Sequence, residues 1–148
     1  MLNRLARLNR LVRRMAPRRA AGAPAATADV EDFLQVARLS FVKLQAAWDD
    51  ADLCALGKLT TEQLLDELRD QLAARGPGPN RTEVLSLDAR LLGIEELQEA
   101  FVASVEFSGL IRERLDDGAA PFRELWLLAK LKTAAGRGWQ LARVQALA

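Results

Sequence analysis

The chain has 148 residues, half of them hydrophobic and 28% charged, the composition of one globular domain with a short extension. It contains no His and no Tyr, which excludes His-based catalytic triads, His-bearing metal sites and a phenolic acid. Its one Cys, Cys54, allows no internal disulfide, and the formal charge of +1 conceals a basic start on an acidic remainder.

Residues 1–28 hold seven Arg and no acid, leaving 14 basic and 20 acidic side chains, a net of −6, on residues 29–148. At about 100° per residue, Leu5, Leu8, Leu11, Val12 and Met15 fall on one side of a helix. Arg7, Arg10, Arg13, Arg14 and Arg18 fall opposite, while Arg4 and Arg19 intrude on the apolar side. Pro17 stops regular helix, and residues 20–28 read as an Ala/Pro linker. The pattern suits a helix lying on an anionic membrane surface, where each Arg contributes on the order of 1 kcal/mol. These ten residues are the candidate membrane-binding set. A mitochondrial targeting segment, an arm for nucleic-acid phosphates and a solvated tail share the same signature. No aromatic interleaves the arginines, so base stacking has nothing to work with. No apolar run approaches the roughly 18 residues that a membrane span needs.

The body begins at Asp29, where Glu31 and Asp32 favour the positive end of a helix dipole. Phe33, Val36, Ala37, Ser40, Phe41, Leu44, Ala47 and Trp48 then follow helical spacing, predicting one long helix with an aromatic-rich stripe. Asp49-Asp50-Ala51-Asp52 breaks it and reads as a cap and turn. A calcium loop starting at Asp49 would need Gly and Glu where Cys54 and Thr60 stand. Thr60 with Gln63 makes a capping pair, and Leu64, Leu65, Leu68 and Leu72 supply the apolar side of a further helix. Gly76-Pro77-Gly78-Pro79-Asn80 ends it.

Beyond this point the period changes to two. Leu85, Leu87, Ala89 and Leu91 alternate with polar residues. Phe101, Ala103, Val105 and Phe107 form a second alternation that runs on towards Ile111. Asp116-Asp117-Gly118 marks a turn, residues 122–133 a third strand, Gly136-Arg137-Gly138 another turn, and residues 139–147 a fourth strand. Helices followed by four strands with short turns predict an α+β domain with helices on one face of an antiparallel meander. The third strand is apolar on both faces, with Leu125, Leu127, Ala129 and Leu131 opposite Phe122, Trp126 and Leu128. Such a strand is central in a twisted sheet, or faces a cavity or a partner on its second side.

An ordered series of segments carries a resemblance. It comprises Trp48-Asp49-Asp50-Ala51-Asp52-Leu53, Leu59-Thr60-Thr61-Glu62, Gly78-Pro79-Asn80, and Val102-Ala103-Ser104-Val105-Glu106-Phe107-Ser108-Gly109. Glu124-Leu125-Trp126 and Gly138-Trp139-Gln140-Leu141-Ala142-Arg143-Val144-Gln145 complete it. Over residues 30–147 this succession resembles the Tim44-like family, the C-terminal domain of the mitochondrial presequence-translocase adaptor and its bacterial relatives. The resemblance implies helices packed in the concavity of a curled four-stranded sheet, the cystatin-like or nuclear-transport-factor-like cone. It also implies a peripheral position on an inner membrane and contact with anionic lipid. Bacterial members usually carry an upstream span before the basic stretch, and this chain shows none.

The expected division is therefore an arm and linker, residues 1–28, and a Tim44-like domain, residues 29–148. The expected function is a non-enzymatic membrane-associated module for protein or lipid traffic or membrane organisation, without cofactor or metal. Its partners are an anionic membrane surface and a lipid or protein in an apolar pocket or docking face. Trp126, Phe122 and Leu128 on one strand phase, or Phe101, Val105 and Phe107 on another, are the candidates to line that face. One alternative is a ribosome- or nucleic-acid-associated protein using the Arg arm; another is a small-pocket enzyme of the cone superfamily. For an enzyme the mid-strand carboxylates are Asp88, Glu106 and Glu124, read here as solvated strand face. Cys54 is read as a core thiol, and Trp126 and Trp139 as core. Arg outnumbers Lys 17 to 4, which fits a GC-rich bacterial genome. With the resemblance, the basic stretch Arg13-Arg14 through Arg18-Arg19, which would match the cytosol-side flank of a span, implies the cytoplasmic side of a bacterial inner membrane. The matrix side of the mitochondrial inner membrane is the alternative.

Overall fold

The structure, a computed structural model, describes residues 27–76, 81–113, 118–133 and 138–147. The predicted arm lies outside these residues, apart from the last part of its linker.

Helix α1, Thr27–Asp49, is the long helix foreseen from Asp29, begun two residues earlier. Its buried face is Leu34, Ala37, Phe41, Leu44, Ala47 and Trp48. Val36, expected in that stripe, is 51% exposed, because it lies about 200° around the helix from Leu34. Leu34 takes its place in the core.

The acidic turn works as caps. Ala51 adopts φ 53, and the Asp52 carboxylate accepts from the Ala55 amide (3.0 Å), capping helix α2, Leu53–Leu59. Asp49 accepts from both the backbone N–H and the hydroxyl of Thr82, tying the end of α1 to the chain entering the sheet. Helix α3, Glu62–Arg75, is capped by Thr61, whose hydroxyl accepts from Leu64 N (3.4 Å). The cap falls one residue after the expected Thr60. Thr60 is instead buried, donates to the Leu56 carbonyl (2.8 Å) and forms a parallel bridge to Leu141. Gly76, at φ 81, closes α3 with its N–H on the Leu72 carbonyl.

Four strands follow: β1 Glu83–Glu96, β2 Ala100–Arg112, β3 Ala120–Leu131 and β4 Gln140–Ala146. They form one antiparallel sheet in the order β1-β2-β3-β4, the expected meander. Irregularities in β1 fall between Val84 and Ser86 and between Leu91 and Gly93, and another lies in β4, where Ala142 is the extra residue opposite Leu127 and Leu128 of β3. Such bulges sharpen the twist and help curl the sheet about the helices. They also shift phase. Leu85 was expected to share a face with Leu87, Ala89 and Leu91, but it is the extra residue of the first bulge and is 43% exposed, while Val84 packs inward.

The core lies between α1 and the concave sheet face. Phe41 stacks at its centre, with ring centroids 4.9 Å from Phe107, 5.4 Å from Phe122 and 4.9 Å from Trp126. Ala103, Val105, Phe107 and Ile111 of β2 face it, as do Phe122, Trp126 and Leu128 of β3 and Leu141 and Val144 of β4. On the opposite face of β3, Leu125, Leu127 and Ala129 are half-buried between the flanking strands, and Leu131 is exposed. The two-faced apolarity of β3 therefore accompanies its central place in the sheet. Cys54, expected in the core, is exposed: α2 buries only Leu56, which points about 200° away.

Candidate functional site

Two features outside ordinary packing stand out: an open groove beside β1 and a carboxyl group inside the core. The groove follows from topology. β1 and β4 are the sheet's outer strands, and the Thr61 amide donates to the Leu141 carbonyl (3.0 Å), so the Thr60–Thr61 segment occupies part of the outer edge of β4. Among the described residues no strand pairs with the outer edge of β1. The C-terminal half of α1 passes beside that edge, and together they enclose about 1040 Å³. Val42, Ala46 and Asp50 line the helix side, and Arg81, Glu83 and Leu85 the strand side. Val36, Leu39 and Val42, spaced by three along α1, are 51%, 54% and 46% exposed and form an apolar row leading to it. The groove thus combines apolar walls with a rim carrying Asp49, Asp50 and Glu83 against one cation, Arg81.

The carboxyl group belongs to Glu124. It stands two residues from both Phe122 and Trp126 and so shares their strand face, which turns it inward, and it is 2% exposed. Its Oε1 accepts from Trp126 Nε1 (3.0 Å). Burial pushes its pKa up to about 7, and the indole hydrogen bond opposes the shift without cancelling it. This corrects the reading of Glu124 as solvated strand face. The signal was present, since a residue midway between Phe122 and Trp126 shares their face, but a glutamate's usual exposure outweighed it. The other two carboxylates stand as expected. Asp88 is exposed, and Glu106 lies on the outer face beside Arg90 (3.1 Å) and Arg123 (3.8 Å).

A carboxyl titrating near neutrality is chemically suited to moving protons. Glu124, however, does not line the groove. On its own face the neighbouring aromatics Phe122 and Trp126 stack on Phe41. Among the described residues no group of three His, Cys, Asp or Glu side chains is placed to hold a metal.

The residues expected to line a pocket or docking face take core positions instead. Trp126, Val105 and Phe107 are fully buried, and Leu128 and Phe122 nearly so. Phe41 occupies the space they were expected to leave open. Phe101 is half-buried, with Lys132 Nζ 5.0 Å from its ring. Trp139 is also half-buried, edge-on to Phe33 at 5.1 Å. The membrane-binding set, Leu5 through Arg18, lies outside the described residues. The groove itself was not foreseen. Its only sequence trace is the apolar spacing Val36, Leu39, Val42, running beside the buried stripe.

No curated protein matches this chain. Among solved structures it is similar to a nuclear transport factor 2 (NTF2-like) superfamily protein from Salmonella enterica serovar Typhimurium LT2. The two are 14% identical, with a TM-score of 0.46, over 82% of this chain and 92% of that one. Residues 18–146 match the model of the Tim44-like domain, which points to a membrane-associated or translocation-related role. The match takes in all seven elements of the fold, and the chain belongs to the Tim44-like family.

Proposed function

We propose that the protein is a non-enzymatic module that attaches peripherally to the cytoplasmic side of a bacterial inner membrane and serves protein or lipid traffic there. The observation that carries this reading is the division of charge on a Tim44-like chain: seven Arg without an acid in residues 1–28, and a net of −6 beyond them. An anionic surface attracts the first part and repels the second, so the arm meets lipid and the body is held away from it. Among the described residues no helix is long and apolar enough to cross a membrane, which suits attachment by the arm. The groove beside β1 supplies the docking face. The absence of His and Tyr, together with an inward carboxyl that lies outside the groove, favours binding over turnover.

Co-sedimentation with vesicles tests the attachment. The full chain is expected to bind anionic vesicles reversibly and to ignore zwitterionic ones. Arg7→Glu, Arg10→Glu, Arg13→Glu and Arg14→Glu together should abolish binding. Undiminished binding by that variant would move lipid contact to the body, and tighter binding to RNA than to anionic vesicles at matched salt would favour the ribosome-associated alternative.

A further inference from the structure

We propose that the basic arm has a second partner within the same chain: in the absence of a membrane it docks against the groove between α1 and β1, so groove and lipid compete for it. The competition rests on the membrane reading above; the docking does not.

The surface calls for an apolar occupant. Single exposed hydrophobic residues are ordinary, but Val36, Leu39 and Val42 form a row along one helix, and the bulge of β1 turns Leu85 outward at its end. The arm repeats this spacing, with Leu5, Leu8 and Leu11 three apart and Val12 and Met15 beside them. Two helical stripes of this kind pack by setting the ridges of one into the grooves of the other.

Charge selects the same occupant. The groove rim holds three carboxylates and one guanidinium; Asp50 and Glu83 are exposed, and Asp49 is engaged by Thr82. A segment with seven Arg and no acid complements that rim, and no other stretch of the chain has such a balance. The geometry allows the return. Residues 16–26 can span up to about 36 Å when extended, whereas Thr27 to Val42 along α1 is about 22 Å. Tethering then supplies a local arm concentration on the order of millimolar, so weak intrinsic affinity suffices and a neighbouring molecule's arm is at a disadvantage.

Cys54, exposed and the only cysteine, stands four residues after Asp50 and is a natural place for a nitroxide label on the full chain. At low salt without vesicles, the label is expected to broaden the amide signals of residues 5–15, independently of protein concentration. Val42→Asp, or Leu8→Asp with Leu11→Asp in the arm, should relieve the broadening while the amide spectrum of the sheet stays unchanged. Anionic vesicles should relieve it in the unmodified chain. An arm docked about nine-tenths of the time binds vesicles roughly tenfold more weakly than a free one, so Val42→Asp should raise vesicle affinity by up to that factor. Sharp arm signals in the labelled full chain would overturn the docking, and so would broadening that grows with concentration, which would mean exchange between copies. Broadening in a chain that binds no vesicles would leave the docking standing and remove the membrane reading.

Discussion

Glu124 gives the core a dependence on pH whose sign follows from its burial. Burial raises the carboxyl's pKa to about 7 in the folded chain from an ordinary value of 4.5, so between these values the folded state holds the proton more tightly. Stability from this group is fully present below about 4.5, falls as pH rises through about 7, and is level above. A shift of this size corresponds to about 3 kcal/mol. Trp126 supplies a reason for keeping such a residue, because a fully buried indole N–H needs an acceptor and Glu124 provides it at 3.0 Å. Glu124→Gln keeps an acceptor oxygen and removes the titration. Urea unfolding at pH 5 and at pH 8 should therefore show the unmodified chain losing stability while the variant changes little, leaving the variant the more stable at pH 8. Parallel losses in the two proteins would show that Glu124 is not the group responsible.

At the scale of elements, the pairing of β1 with β2 depends on Gly109. A Cβ built there would lie 2.0 Å from the Ser86 carbonyl oxygen and 2.7 Å from its carbon, both backbone atoms of the β1 bulge. The Leu110 amide donates to the Ser86 hydroxyl (3.0 Å), holding the two strands at this close approach. Gly109→Ala should cost about 2 kcal/mol or more, read as a lowered urea midpoint with an unchanged slope. An unchanged midpoint would mean that the bulge can move aside freely. The same bulge shows what could and could not be read from sequence. The order of helices and strands was legible because four of the six breaks carry Asp, Gly or Pro, Thr60-Thr61 reads as a helix cap, and β1 and β2 alternate over much of their length; only the short connection at residues 97–99 lacks a turn signal. Leu85 and Leu92 each add one residue with no turn signal, so a period-two reading runs through them and emerges on the wrong face. The groove was hidden for a related reason, since it joins the far side of a helix read for its buried side to a strand edge exposed by sheet order.

For the whole molecule, the question is whether arm and body are separable. Among the described residues the buried core runs from Leu34 to Val144, and the caps at Asp52 and Thr61 and the closing Gly76 lie within the same span. A shortened chain beginning at Ala26 should therefore unfold in one cooperative transition. It should not match the full chain under all conditions, however. An arm docked about nine-tenths of the time adds about 1.4 kcal/mol to the folded state by linkage. At low ionic strength the full chain should be more stable by about that amount. The difference should shrink towards zero in about 1 M salt, where screening reaches only about 3 Å and the attraction between the Arg-rich arm and the acidic rim is suppressed. Denaturant titrations of both chains at two salt concentrations separate the possibilities. A shortened chain that is molten or insoluble would make the arm part of the fold, and equal stability at low salt would leave it a free tether to the membrane.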